Sequence, residues 1–309
     1  MTKRIKHISC NTIVCDIGAT DIKAGFAFDD APQRFTGMSL ESVLKCILAK
    51  PLSVNNGQQI ESTNLILCVD EKNDFCFEKY NFQKIAICSS PPLIMAARGA
   101  TSALVVDCGA SGTRITPVCE GYVQKNQIKR LEIGGNAVSS HLMDLMKRTD
   151  FVNAFLKDIN VAERIKREFS FVSTNLLEDT YISEKTFWYE KKIQLPDGTL
   201  VLNEERFLAS EILFQPKLLS PSSEQRGVTE LISESIESCA LDLRAGLYKN
   251  ILLSGGSTSL PGFAQRIRKD LLCVPDHDPD PETLVFRGGC VLAKLDEDEF
   301  WNLKFSQKY

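Results

Sequence analysis

Residues 13–28 read IVCDIGATDIKAGFAF and residues 104–118 read LVVDCGASGTRITPV. Each is an apolar strand, then Asp, then x-Gly, then small polar residues, then a second apolar strand, so one hairpin is written twice. The repeat puts Asp16 and Asp107 at strand tips, each beside a glycine. If the two tips face each other they form a cleft suited to a nucleotide. Backbone amides at Gly18 and Gly109, with Ala19, Thr20 and Ser111 in the turns, can cradle phosphate oxygens. Asp16 and Asp107 can hold a hydrated magnesium ion, which prefers one or two carboxylates and several waters. Lys23 can set a point charge on the phosphates. A third stretch, ILLSGGSTSLPG at 251–262, runs a short apolar strand into Gly255 and Gly256, followed by Ser257. Paired glycines allow positive φ and close approach of another group, as phosphate turns require. The plainer reading is that Asp-x-Gly and Gly-Gly simply close turns.

Around these stretches, short apolar runs alternate with helical periodicity, the pattern of a layered α/β protein. Strands are expected at Thr12–Cys15, Leu65–Val69, Lys84–Cys88, Ala103–Asp107 and Ile251–Leu253. Helices are expected over Ser39–Ala49, Ala137–Met146 and Gly227–Asn250. The 309 residues, 43% of them hydrophobic, suffice for two cores. A net charge of -4 gives no footprint for nucleic acid or an anionic membrane. Eleven cysteines, with no Cys-x-x-Cys pair, read as reduced thiols of a cytoplasmic or nuclear protein rather than a disulfide framework. No apolar run is long enough for a membrane helix.

The order of motifs resembles the actin and actin-related protein family. VCDIGATDIKAGFAFDDAP (14–32) looks like its first phosphate loop and VVDCGASGTRITPVCEGY (105–122) like its second. RLEIGGNAVSSHLMDLM (130–146), LPDGTLVLNEERFLASEILFQPKLL (195–219), DLRAGLYKNILLSGGSTSLPGF (242–263) and VFRGGCVLAKLDEDEFW (285–301) follow in family order. The resemblance implies an actin-like, ribonuclease H-like duplicated fold with a nucleotide cleft. It implies a first domain from 1–128 plus 284–309 and a second from 129–283. It also implies ATP or ADP with magnesium at Asp16, Gly18, Lys23, Asp107, Gly109, Gly255 and Gly256, and Lys166 near the ribose and adenine.

Departures from the family pattern shape the functional expectation. Ala110 and Arg114 stand where the family has an acidic residue and a histidine near the attacking water, and Cys88 or Ser90 where it has a glutamine. Hydrolysis is therefore expected to be slow or absent, and no catalytic residue is assigned. On the adenine side Ser259-Leu260 replaces a larger pair, Arg167 a glutamate and Glu282 a lysine. Phe35 and Met38 are nearly adjacent where actins insert a small subdomain, and a short helix is missing around Asn73–Glu78. The expected protein is a structural, non-polymerising or capping subunit of a cytoskeletal complex, with actin or actin-related subunits as partners. CSSPPLIMAARGATSALVVDCG (88–109) is similar to the pointed-end actin-related subunit of dynactin, the favoured comparison. The run at 285–301 is similar to the smaller actin-related subunit of the filament-branching complex. The sequence also leaves open a nuclear actin-related subunit of a chromatin-remodelling complex and an active ATPase of the actin and sugar-kinase superfamily.

The remaining features get ordinary readings. Phe187-Trp188-Tyr189 is expected to pack in a hairpin, Asp276–Glu282 to form a solvated loop without metal, and Ser220–Gly227 to be a flexible connector. His7 and His141 suggest no chemistry.

Overall fold

A computed structural model describes residues 12–48, 63–68, 82, 84–147, 158–195 and 198–294. The chain divides into two compact units, parting at Thr101/Ser102 and again at Pro281/Glu282.

Unit 1 opens with β1 (Thr12–Ile17), β2 (Asp21–Phe26) and β3 (Gln33–Thr36). Helix α1 (Leu40–Leu48), strands β4 (Asn64–Cys68) and β5 (Lys84–Cys88), and helix α2 (Ser90–Arg98) follow. The sheet order is β3-β2-β1-β4-β5, with β1 antiparallel to β2 and parallel to β4. Apolar residues fill β1 and β4 because these central strands are covered on both faces. Helix α1 buries Leu40, Val43, Leu44 and Ile47, the three-and-four spacing read from sequence. Prolines in its first turn and left-handed Gly99 at its end delimit α2. Only Gly37–Ser39 separate β3 from α1, so no subdomain is inserted at that junction. The expected loss around Asn73–Glu78 lies outside the described residues.

Unit 2 repeats the plan. Strands β6 (Ala103–Cys108), β7 (Thr113–Cys119), β8 (Tyr122–Val123) and β9 (Lys129–Leu131) lead to helices α3 (Gly135–Met146), α4 (Ile159–Phe169) and α5 (Leu176–Lys185). A two-stranded ribbon, β10 (Lys191–Leu195) and β11 (Gly198–Leu202), precedes α6 (Glu205–Glu211), α7 (Val228–Glu237) and α8 (Leu241–Lys249). Strand β12 (Ile251–Ser254), helix α9 (Phe263–Leu271) and strand β13 (Asp276–His277) complete the unit. Its sheet runs β13-β12-β6-β7-β8, with β9 also on β7. Antiparallel β6–β7 and parallel β6–β12 and β12–β13 match the pairings of β1 with β2, β1 with β4 and β4 with β5. The duplication seen in two hairpins thus extends to two whole sheets.

The last described helix, α10 (Leu284–Ala293), belongs to unit 1 and packs on α2 and β1. Its Gly288 lies so close to α2 that a Cβ there would fall 1.8 Å from the Leu93 carbonyl oxygen. A Cβ on Gly289 would fall 2.4 Å from Val14 Cγ1 on β1.

The structure corrects several expectations. The first domain boundary moves from 128/129 to 101/102, because β6 is zipped onto β12 and so keeps residues 102–128 with the second unit. The later one moves from 283/284 to 281/282. Gly227–Asn250 is two helices, not one, broken at Ser238–Ala240. Phe187 and Trp188 are 85% and 80% exposed in the turn before β10, and Tyr189 alone of the three packs inward, on Phe171 and Phe207. The acidic stretch is not simply solvated: Asp278 is buried and accepts the Asp280 amide at 2.9 Å. The nine cysteines among the described residues are free thiols, of which Cys46 is exposed. No described helix is long and apolar enough to cross a membrane.

Candidate nucleotide half-sites

In unit 1, β1 delivers Asp16 to the hairpin tip, where the register sets it opposite Lys23 on β2. Lys23 Nζ donates to Asp16 Oδ2 at 3.4 Å, and both side chains are mostly buried. The turn closes when the Gly18 amide donates to the Asp21 carbonyl at 3.0 Å, leaving Gly18, Ala19 and Thr20 exposed. A Cβ on Gly18 would sit 2.9 Å from that carbonyl, which is why the position is glycine. Beside the turn, Asp21 accepts from Thr36 Oγ1 at 2.7 Å and faces Arg34 at 3.4 Å. Arg34 also pairs with Glu282, giving the latter a partner within the unit.

Unit 2 presents the counterpart. Asp107 at the end of β6 lies in register with Arg114 on β7, and the Gly109 amide donates to the Gly112 carbonyl at 2.9 Å. This turn, with Ala110 and Ser111, is held from outside as well as closed within. The amides of Gly135 and Asn136 at the start of α3 donate to the carbonyls of Gly109 and Ala110, each at 2.9 Å. Gly134 permits the approach, since its Cβ would lie 2.5 Å from the Gly112 amide.

The Gly-Gly pair after β12 serves this same turn. Gly255 takes φ +87°, and a Cβ on it would fall 2.4 Å from the Cys108 carbonyl and 2.8 Å from an Asp107 carboxylate oxygen. What approaches the main chain most closely at Gly255 is therefore the second hairpin itself. Gly256 opens a short 3-10 turn, Gly256–Ser259, and Ser257 Oγ donates to the Gly109 carbonyl at 3.4 Å.

Lys166 is brought to the same neighbourhood but is engaged by protein. Its buried Nζ donates to the Gly135 carbonyl at 3.0 Å and to Glu163 Oε2 at 2.5 Å. Burial pulls its pKa down, against the opposing pull of Glu163. Burial would raise the pKa of Glu163, yet donors from Lys166, Ser139 and Arg167 outweigh it and hold that carboxyl at about 2. Arg167 is turned onto Glu163, its Nε 2.8 Å from Oε1. Gly134, Gly135, Ser139 and Glu163 were not singled out from sequence. The glycine pair before an amphipathic helix was the available signal.

The donor set fits a phosphate-bearing ligand: each unit offers a tight glycine turn, one carboxylate and one cation at a hairpin tip. Among the described residues no three His, Cys, Asp or Glu side chains gather into a metal cage. A magnesium ion here suits the mode in which one or two carboxylates and ligand phosphates share it.

The model of the family described as Actin matches residues 70–308. The chain belongs to the actin family. Among curated relatives of this actin-family chain, actin-related protein 2 of Saccharomyces cerevisiae is 36% identical over 73% of the chain and 63% of its own length. Putative actin-29 of Dictyostelium discoideum is 36% identical over 63% of the chain and 51% of its length. Actin-related protein 2 of Acanthamoeba castellanii is 32% identical over 73% of the chain and 63% of its length. The chain thus spans less than two thirds of the length of these relatives. The first hairpin lies outside the family match, and it is the duplicated topology that ties it to the second.

Proposed function

We propose that this actin-family chain is a structural subunit of an actin filament-branching assembly, holding ATP or ADP with little or no hydrolysis. The observation that carries the reading is its similarity to proteins named actin-related protein 2, which moves the weight from the dynactin-like comparison to the branching complex. The resemblance of 285–301 to the smaller actin-related subunit of that complex is part of the same similarity.

Within unit 1 the Gly18 turn and Lys23 would take phosphate with Asp16 toward magnesium, and within unit 2 the Gly109 turn would take phosphate with Asp107 toward magnesium; the bound ion would neutralise phosphate charge. Slow hydrolysis follows from Ala110 and Arg114 at positions where the resemblance expects water-orienting groups. The three-residue β3–α1 junction supports a non-polymerising role, since it leaves no inserted loop there for a neighbouring protomer.

Two measurements test the proposal. Isothermal titration of magnesium ATP should show binding that Asp107→Ala weakens about tenfold or more, the scale of a lost charge-assisted contact. Affinity purification with mass spectrometry should recover a second actin-related protein and branching-complex subunits. Recovery of dynactin subunits instead would return the assignment to a pointed-end subunit.

A further inference from the structure

Strand register puts two cysteines side by side in unit 1. Parallel strands β4 and β5 pair Cys68 with Cys88, the last residue of each strand. Cys68 is in register with Asp16 of β1 on its other side, so the row across the strand ends is Asp16–Cys68–Cys88. Side chains alternate along a strand, and the residues of one row share a face. The preceding row on that face, Val14–Ile66–Ala86, packs with Phe286 and Cys290 of α10, and Cys88 packs against the same cluster. Cys15 belongs to the opposite face, with Ile13, Leu65 and Leu67 beside α1. Cys68 and Cys88 are therefore direct neighbours on one face, and both are thiols.

We propose that Cys68 and Cys88 are a redox couple, a dithiol that a hydroperoxide closes into a cross-strand disulfide and a small thiol reopens. The inference stands apart from the nucleotide reading. Neighbouring strands lie about 4.8 Å apart, within the Cα separation of about 4.4–6.8 Å that disulfides span. Strand β5 is at the edge of the described sheet, so it can move toward β4 without pulling on a further described strand. The two thiols differ in access. Cys68 is 3% exposed, whereas Cys88 is half-buried and is followed at once by exposed Ser89. Cys88 thus meets the oxidant and Cys68 resolves the product. In the first step the Cys88 thiolate attacks a peroxide oxygen and the O–O bond breaks. Water or an alcohol leaves with the thiol proton, and Cys88 becomes a sulfenic acid. In the second step the Cys68 sulfur attacks the Cys88 sulfur and the S–O bond breaks, the hydroxide leaving as water with the Cys68 proton. Two electrons pass from the sulfur pair to the peroxide. Disulfide Cβ atoms sit about 3.8 Å apart, closer than the strand spacing, so the bond pinches the strand ends together and is readily reduced. That makes it a reversible closure rather than a permanent staple. The further thiol of this cluster, Cys290, is buried, and burial pushes its pKa up to about 11, which keeps it out of the reaction.

The test is peptide mapping of the intact protein after hydrogen peroxide, with remaining thiols blocked by N-ethylmaleimide. Trypsin with Glu-C places Cys46, Cys68, Cys76 and Cys88 on separate peptides. Mass spectrometry should show the Cys68 and Cys88 peptides lost together and recovered as one linked pair, which dithiothreitol returns to two. Cys46, an exposed thiol outside the pair, should still take the blocking agent in its own peptide. In Cys68→Ser, Cys88 should stop at the sulfenic acid and be trapped by dimedone, whereas the unaltered protein should not retain dimedone there. The proposal is overturned if Cys88 links to another cysteine, or if Cys88 reaches sulfinic acid while Cys68 still takes the blocking agent. Equal blocking of both residues with and without peroxide also overturns it. Should Cys68→Ser fail to fold, the peptide map of the unaltered protein decides the matter.

Discussion

Glu163 shows how a single carboxylate can organise the base of a half-site. It gathers Lys166, Ser139 and Arg167, and its pKa falls from the ordinary 4.5 to about 2. A carboxyl depressed on folding stabilises the protein above its unfolded pKa, and that contribution fades as pH drops from about 4.5 toward 2. Glu163→Gln should therefore lower the urea midpoint at neutral pH, and the gap to the parent should narrow steadily through that acid window. An unchanging gap from pH 6 to pH 3 would contradict it. The sequence marked Lys166 as a ligand position, but a string of charges does not say which ones face each other. Only the fold reveals that Lys166 bonds Gly135 and Glu163. Gly255 was the reverse case. The glycine requirement was legible, whereas the group that demands it, the Cys108 carbonyl, comes from a strand some 150 residues away in the chain.

Among elements, helix α10 carries two adjacent glycines in its interior, each costing about 1 kcal/mol of helix propensity relative to alanine. The close crossing with α2 offsets this. Gly288→Ala should destabilise unit 1 by about 1–3 kcal/mol, because the added methyl meets backbone rather than a movable side chain. A thermal melt no lower than the parent's would contradict the packing described. The hairpins themselves were readable from sequence, since an apolar run ending in Asp-x-Gly has few other conformations. Their register was not, and with it the rows of aspartate and cation stayed hidden. Helices α7 and α8 fused into one reading because both carry apolar periodicity, and nothing as emphatic as proline marks the break at Ser238–Ala240. Phe187 and Trp188 were assigned to packing on residue type alone, which cannot tell a buried aromatic from one left in solvent.

On the scale of the whole molecule, duplication and abbreviation together set the expected behaviour. Two sheets with one topology account for the nucleotide reading, and the short β3–α1 junction argues against self-assembly. The pure protein should remain in the supernatant when centrifuged in polymerising salt, and should release no phosphate from magnesium ATP above a blank. A pellet of filaments would show that another surface has replaced the missing contact.

The split of unit 1 across the chain has an effect during synthesis. Strand β1 and helix α2 leave the ribosome early, while α10, which covers them, follows only after all of Ser102–Pro281 has been made. The second unit can close while the first still shows an uncovered apolar face. Ribosome-bound chains that end at Pro281 and carry an unstructured extension long enough to clear the exit tunnel should accordingly display protease-resistant second units beside cleavable first ones, and α10 acts as the latch of the first unit.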